Sequence, residues 1–205
     1  MNNALPSELL IATKNAGKIA ELRDLMQDIP VGLKFLPDLS GIEVVEETGT
    51  TFQQNAELKA SAYACATGSW AIADDSGLEV DALGGAPGVY SARYGGEYLP
   101  FAGKMKKLLR ELSDSGALDR TAQFRCVMAI ANSDGNILFT AEGVSAGTIA
   151  EKPRGSGGFG YDPIFVPEGF SETFGELARD IKQQISHRGR AAELIMRYLL
   201  HFNDV

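Results

Sequence analysis

Short apolar runs that give out into small, polar turns, each followed by helix-like spacing, constrain this chain more than any other feature. Leu9 to Ala12 is such a run; it stops at Thr13-Lys14-Asn15-Ala16-Gly17, and from Lys18 the residues Ile19, Leu22, Leu25 and Met26 recur at helical intervals until Ile29 and Pro30. The pattern predicts a strand-loop-helix unit. A second helix is expected from about Thr51 to Thr67, capped by Thr50 or Thr51, with Phe52, Ala56, Ala60, Tyr63 and Ala64 buried and Asn55 and Lys59 on another face. Trp70 to Ala73 reads as a strand that ends at Asp74, Asp75, Ser76 and Gly77, which places charge where open α/β sheets bind ligands. A third helix is expected from Leu99 to Leu112 and a last one from about Arg188, the latter burying Ala191, Leu194, Ile195, Tyr198, Leu199 and Phe202. Thr121 to Ala131 alternates, Asp134-Gly135 turns, and Ile137 to Glu142 returns, which is a hairpin pattern. Tyr161 to Val166 reads as extended. Crossover units with a hairpin predict an α/β fold of one domain over residues 1–205: elongated, two-lobed, built on a mixed sheet with a central cleft.

A chain of 205 residues that is 44% hydrophobic can bury a substantial core. No stretch reaches the roughly 18 apolar residues of a membrane span, and MNNALPSE has no basic region ahead of an apolar one. No membrane association and a cytoplasmic location are therefore expected. Cys65 and Cys126 are the only cysteines, so neither a disulfide framework nor a thiolate zinc site is supported. The net charge of −8 argues against nucleic acid as a partner, since binding a phosphate backbone draws on clustered Lys and Arg. A small phosphate ligand would need a local cationic pocket, or a metal bridging it to carboxylates.

Both are on offer. Thr13, Lys14, Asn15, Ala16, Gly17 and Lys18 lie between a strand and a helix, where amide groups and the positive helix terminus favour anions, although no GxxxxGK[ST] occurs. Asp74 and Asp75 carry the hard oxygens that Mg²⁺ prefers; adjacent strand residues face opposite sides, so one is expected to hold metal and the other to support it. Glu46 and Glu47 are candidates for a further oxygen ligand, and otherwise a solvated pair. Gly155, Gly157 and Gly160 spell GxGxxG, but the motif leads into an extended segment rather than a helix, which rejects a dinucleotide fold. It leaves a loop presenting Phe159 and Tyr161, whose rings could stack on a base or simply pack in a core. Lys182, Ser186, His187 and Arg188 gather donors at the start of the last helix; Arg188 suits a purine 6-keto oxygen and would leave a 6-amino group unpaired.

TKNAGK, EETGTTFQQNAELKA, ADDSGLEVDALGGAPGVYSARY, GSGGFGYDPIF and KQQISHRG, in this order, closely resemble the Ham1-like inosine triphosphate pyrophosphatase family from residue 9 to about 200. The resemblance implies that Thr13 to Lys18 bind a triphosphate, that Glu46 and Asp75 hold Mg²⁺, that Asp75 is the general base with Asp74 and Lys18 assisting, and that Lys59 and Ser76 touch substrate. It also implies that Phe159, Gly160, Tyr161 and Asp162 enclose the base and that Lys182, His187 and Arg188 complete its recognition. A homodimer with a long twisted mixed sheet is implied, together with hydrolysis of ITP, dITP and XTP to the monophosphate and pyrophosphate. A Maf-like pyrophosphatase is the nearest alternative, and the SHR and FGYDP segments argue against it; a catalytically silent nucleotide binder is the other, against which Lys18, Glu46 and Asp75 are all present.

Overall fold

A computed structural model describes residues 5–202. Strand β1 (Glu8–Ile11) passes through a turn into helix α1 (Ala16–Leu25), and β2 (Gly32–Phe35) returns parallel to β1, with Leu9 opposite Leu33 and Ile11 opposite Phe35. Helix α2 (Phe52–Thr67) leads to β3 (Ala71–Val80), parallel to β1 along its other edge. After α3 (Phe101–Asp114) come the long strands β4 (Thr121–Ala131) and β5 (Ile137–Ile149), then the short β6 (Phe165–Pro167), antiparallel to β5. Helices α4 (Arg179–Ile185) and α5 (His187–Leu200) follow. The strand order is β2-β1-β3-β4-β5-β6, one mixed six-stranded sheet, so the α/β class and the mixed sheet are as the sequence implies.

The elements differ from expectation in several places: β2 has no counterpart in the sequence reading, and β5 runs on past Glu142 to Ile149. β3 does not end before Asp74 but continues to Val80, because each aspartate is buried on its own face beside cations and the apolar residues Leu78 and Val80 extend the strand. The segment from Tyr161 is not extended throughout: Pro163 sits in a 3-10 turn at Asp162–Ile164, and only Phe165–Pro167 pairs as a strand. Helix α4 has no counterpart in the sequence reading; Ser186, extended at φ −72° and ψ 154°, separates it from α5. Leu194, expected to be buried, is 39% exposed.

The chain divides into two compact units. The first comprises the residues up to Asp75, Cys126–Gly143, and those from Arg188 on; the second comprises Ser76–Arg125 and Val144–His187. Leu9, Ile11, Leu22, Met26, Ile72, Met128, Ile130, Ile195 and Leu199 form the core of the first. Leu78, Val80, Met105, Leu108, Leu112, Phe124, Phe165 and Phe174 form that of the second. Fully burying a side chain of this size stabilises by about 1.5–3 kcal/mol before entropy is counted. Among the described residues no helix is long and apolar enough to cross a membrane.

Candidate active site

In the first unit, the turn between β1 and α1 is built by its own polar side chains. The Asn15 side chain accepts from the Lys18 amide at 3.1 Å and caps α1, and the Asn15 amide in turn donates to Thr13 Oγ1 at 3.2 Å. Lys14, Asn15 and Ala16 are exposed and Thr13, Gly17 and Lys18 half-buried, so this helix start meets solvent with two lysines beside it. The positive end of the helix and these ammonium groups favour an anion. Lys18 also reaches back to β3, its Nζ lying 3.0 Å from Asp74 Oδ2.

Asp74 and Asp75 point to opposite faces of β3, as alternation requires. Asp74, 2% exposed, meets Lys18 and also Arg188, whose Nη2 is 3.3 Å from Oδ2, while Arg188 Nη1 pairs with Glu21 of α1. Burial alone would raise the Asp74 carboxyl, but Lys18, Arg188 and Lys59 outweigh it and hold the group well below the usual carboxylate range. Asp75 faces α2 instead. Asn55 Nδ2 donates to its Oδ2 at 3.0 Å and Lys59 Nζ stands 3.8 Å from its Oδ1. Burial lifts the Asp75 carboxyl above its ordinary value; Lys59 and Lys18 oppose that and Glu47 adds to it. Lys59 Nζ is 2.5 Å from Glu47 Oε1 and donates to the Asp74 carbonyl at 2.7 Å. Burial works against its charge, yet Asp75, Glu47 and Asp74 together raise its pKa.

Glu47 is the glutamate that pairs with Lys59 beside Asp75, while Glu46, to which the resemblance gives the metal, is exposed. The signal that separates them is alternation in an extended segment, where only one of two neighbours can face α2. Sequence reasoning placed Asn55 on the Lys59 face of its helix without a role, gave Cys126 none, and passed over Glu21; the Cys126 thiol lies 3.8 Å from Asp74 Oδ2, and burial pushes its pKa up.

The second unit carries another constellation. Asp162 Oδ2 accepts from the Phe159 amide at 2.7 Å and lies 2.5 Å from Lys182 Nζ, and both side chains are buried. Gly158, at φ +67°, makes room for them, since a Cβ there would stand 2.0 Å from Asp162 Oδ2. Phe159 is half-buried with Lys182 Nζ 5.4 Å from its ring centroid. Tyr161 is packed in the second core, its hydroxyl donating to the Ser91 carbonyl at 3.0 Å, so the tyrosine anchors this loop while Gly160, at φ +68°, makes the turn before it. His187 is buried and stacked on Phe124, ring centroids 4.6 Å apart and planes 9° from parallel. Ser76, half-buried in β3, begins this unit. Arg188, 1% exposed, belongs to the first unit and to its Asp74 and Glu21 ion pairs.

A mixed α/β sheet with lysines at a helix start and buried carboxylates on the neighbouring strand defines a class of proteins equipped for phosphorylated ligands. The particular family follows from comparison: the Ham1 family profile matches residues 9–198, and the chain belongs to that family. A dITP/XTP pyrophosphatase of Synechococcus sp. (strain CC9311) is 51% identical over 91% of this chain and 87% of its own length. One from Bacillus subtilis (strain 168) is 45% identical over 94% of this chain and 96% of its own. Among solved structures, a HAM1 protein from Coxiella burnetii superposes with a TM-score of 0.88 at 40% identity, covering 96% of this chain and 100% of that one. The Staphylococcus aureus Ham1 protein gives 0.83 at 41% identity, covering 94% and 98%.

Proposed function

We propose that this protein hydrolyses non-canonical purine nucleoside triphosphates, dITP, ITP and XTP, to the monophosphate and pyrophosphate. The observation that carries the reading is the Lys18, Asp74, Lys59, Asp75 and Glu47 cluster beside the start of α1, in a chain 45–51% identical to dITP/XTP pyrophosphatases. Thr13 to Lys18 bind the triphosphate through helix-start amides and ammonium groups. Asp75, held at the surface of α2 by Asn55 and Lys59, orients and deprotonates the attacking water. Lys18 and Lys59 counter the charge that develops on the leaving pyrophosphate. Asp74 stays ionised and holds Lys18 and Arg188 in place.

Mg²⁺ fits the donor set. Asp75 and Glu47 flank one cation, the Lys59 ammonium, and with Glu46, which the resemblance gives to the metal, they offer only hard oxygen. Mg²⁺ keeps several of its waters and takes one or two carboxylates from a protein. Bound there, the metal would supply charge neutralisation to the polyphosphate. Base recognition falls to Phe159, Gly160, Asp162, Lys182 and His187, with Tyr161 fixing their loop and Ser76 as a further contact. A homodimer working in the cytoplasm completes the proposal.

The test is pyrophosphate release from ITP, dITP, XTP, ATP and GTP, with magnesium and with chelator. Magnesium-dependent release confined to the first three supports the reading; equal rates on ATP and GTP overturn the base selectivity, and release that survives chelation overturns the metal. Light scattering at about twice the chain mass would support the dimer.

A further inference from the structure

Asn55 lies in α2 with its side chain fully buried and touches both pieces of chain that bear the carboxylates. Its Oδ1 accepts from the Gly49 amide at 2.8 Å, and its Nδ2 donates to Asp75 Oδ2 at 3.0 Å. The two bonds fix each other. A backbone N–H can only donate, so the amide must turn its oxygen to Gly49, and this leaves its NH₂ facing the carboxylate. Gly49 stands two residues beyond Glu47 and approaches α2 closely: a Cβ there would lie 2.6 Å from Asn55 Oδ1 and 2.7 Å from Gln54 Cβ. The Thr50 amide donates to Gln54 Oε1 at 2.8 Å, so consecutive residues of α2 grip consecutive residues of the incoming segment. Lys59, one helical turn beyond Asn55, reaches Glu47 and Asp75 from the same face.

We infer that Asn55 is a positioning residue: its amide locks the Asp75 carboxylate to the Glu47–Gly49 segment, so that the base and the second carboxylate keep one fixed separation. The inference rests on the proposed pyrophosphatase reading, in which both groups serve the reaction. It explains why the segment needs glycine at position 49 without a positive φ, since the requirement is closeness to Asn55.

Three variants separate this from a merely structural role. Asn55→Ala removes both bonds. Asn55→Asp keeps an oxygen for Gly49 but sets a second oxygen against Asp75. Gly49→Ala leaves Asn55 intact and pushes it aside. Misplacing a catalytic group by about 1 Å costs on the order of a hundredfold, so kcat on dITP is expected to fall about that far in both Asn55 variants, per folded molecule, with KM changed by less than about threefold. Gly49→Ala is expected to lower kcat about tenfold through the same displacement. Amide hydrogen exchange at Gly49 should accelerate in Asn55→Ala and stay near wild type in Asn55→Asp. Wild-type kcat in both Asn55 variants of an active protein would overturn the role of Asn55 alone. An inactive wild type would remove the pyrophosphatase reading and this role with it. Should Asn55→Asp fail to fold, unchanged kcat in Gly49→Ala would be the overturning result.

Discussion

Asp74 and Asp75 are chemically identical neighbours, and their surroundings give them opposite properties. Around Asp74, Lys18 and Arg188 overcome the penalty of burial; around Asp75, burial prevails over Lys59. Removing the Asp74 charge strands buried cations, so Asp74→Asn should lose about 3–5 kcal/mol of stability, read from urea unfolding. Asp75→Asn removes a charge that burial disfavours, so its thermal midpoint should hold or rise while kcat falls by about 10²–10⁴; retained turnover would dismiss Asp75 as the base. Tyrosines give the pH dependence. Burial and the hydrogen bond to Glu111 raise the Tyr94 phenol, and burial raises Tyr161. Both folded values lie above the unfolded value near pH 10, so the stability they confer is complete below about pH 10 and is lost as the pH climbs through the folded values. Urea midpoints should hold up to about pH 10 and fall as the pH rises above it, and Tyr94→Phe should flatten the drop. Residue types and order were enough to select the phosphate loop, Lys59 and the aspartates. They could not decide between Glu46 and Glu47, because that depends on which way an extended segment with no regular element faces α2.

Strand β3 shows why element boundaries were harder to read than elements. Paired aspartates after an apolar run look like a strand end, since an unpaired charge does not stay buried; the partners that keep Asp74 and Asp75 inside come from α1, α2 and α5, far along the chain. Helix α4 escaped for a related reason: its seven residues have one buried member, Lys182, and a single apolar pair at helical spacing, Ile181 and Ile185, too short a repeat to single out. The hairpin, by contrast, was legible from alternation and from Asp134-Gly135 alone. Its turn does more than reverse the chain. Gly135 has φ +81°, and a Cβ there would stand 2.4 Å from Cys65 Sγ on α2. Gly135→Ala combines a strained backbone with this clash and should cost about 1–3 kcal/mol. Adding Cys65→Ala should recover the part due to the clash and none of the backbone part. Full additivity of the two substitutions would show that the turn does not press on α2.

Neither compact unit is one continuous piece of chain. The backbone passes between them at Asp75–Ser76, Arg125–Cys126, Gly143–Val144 and His187–Arg188, and three of these crossings fall inside β3, at β4, and inside β5. A strand whose residues serve two cores cannot lose its ladder in one half without weakening it in the other. This argues for cooperative unfolding despite the two cores. Trp70, the only tryptophan, packs against the first core with its ring 5.2 Å from Phe202 in an edge contact, so its fluorescence reports the first unit. Tyr90, Tyr94, Tyr98 and Tyr161 lie in the second and Tyr63 and Tyr198 in the first, so near-ultraviolet dichroism of an otherwise intact variant carrying Trp70→Phe, Tyr63→Phe and Tyr198→Phe reports the second. Urea titrations followed by the two signals should share one midpoint once the variant's own shift is measured by backbone dichroism. Separate midpoints would mean that the crossings act as hinges between independently melting cores, and the unit with the lower midpoint would then set how long the cluster around Asp74 and Asp75, or the loop around Asp162 and Lys182, survives on heating.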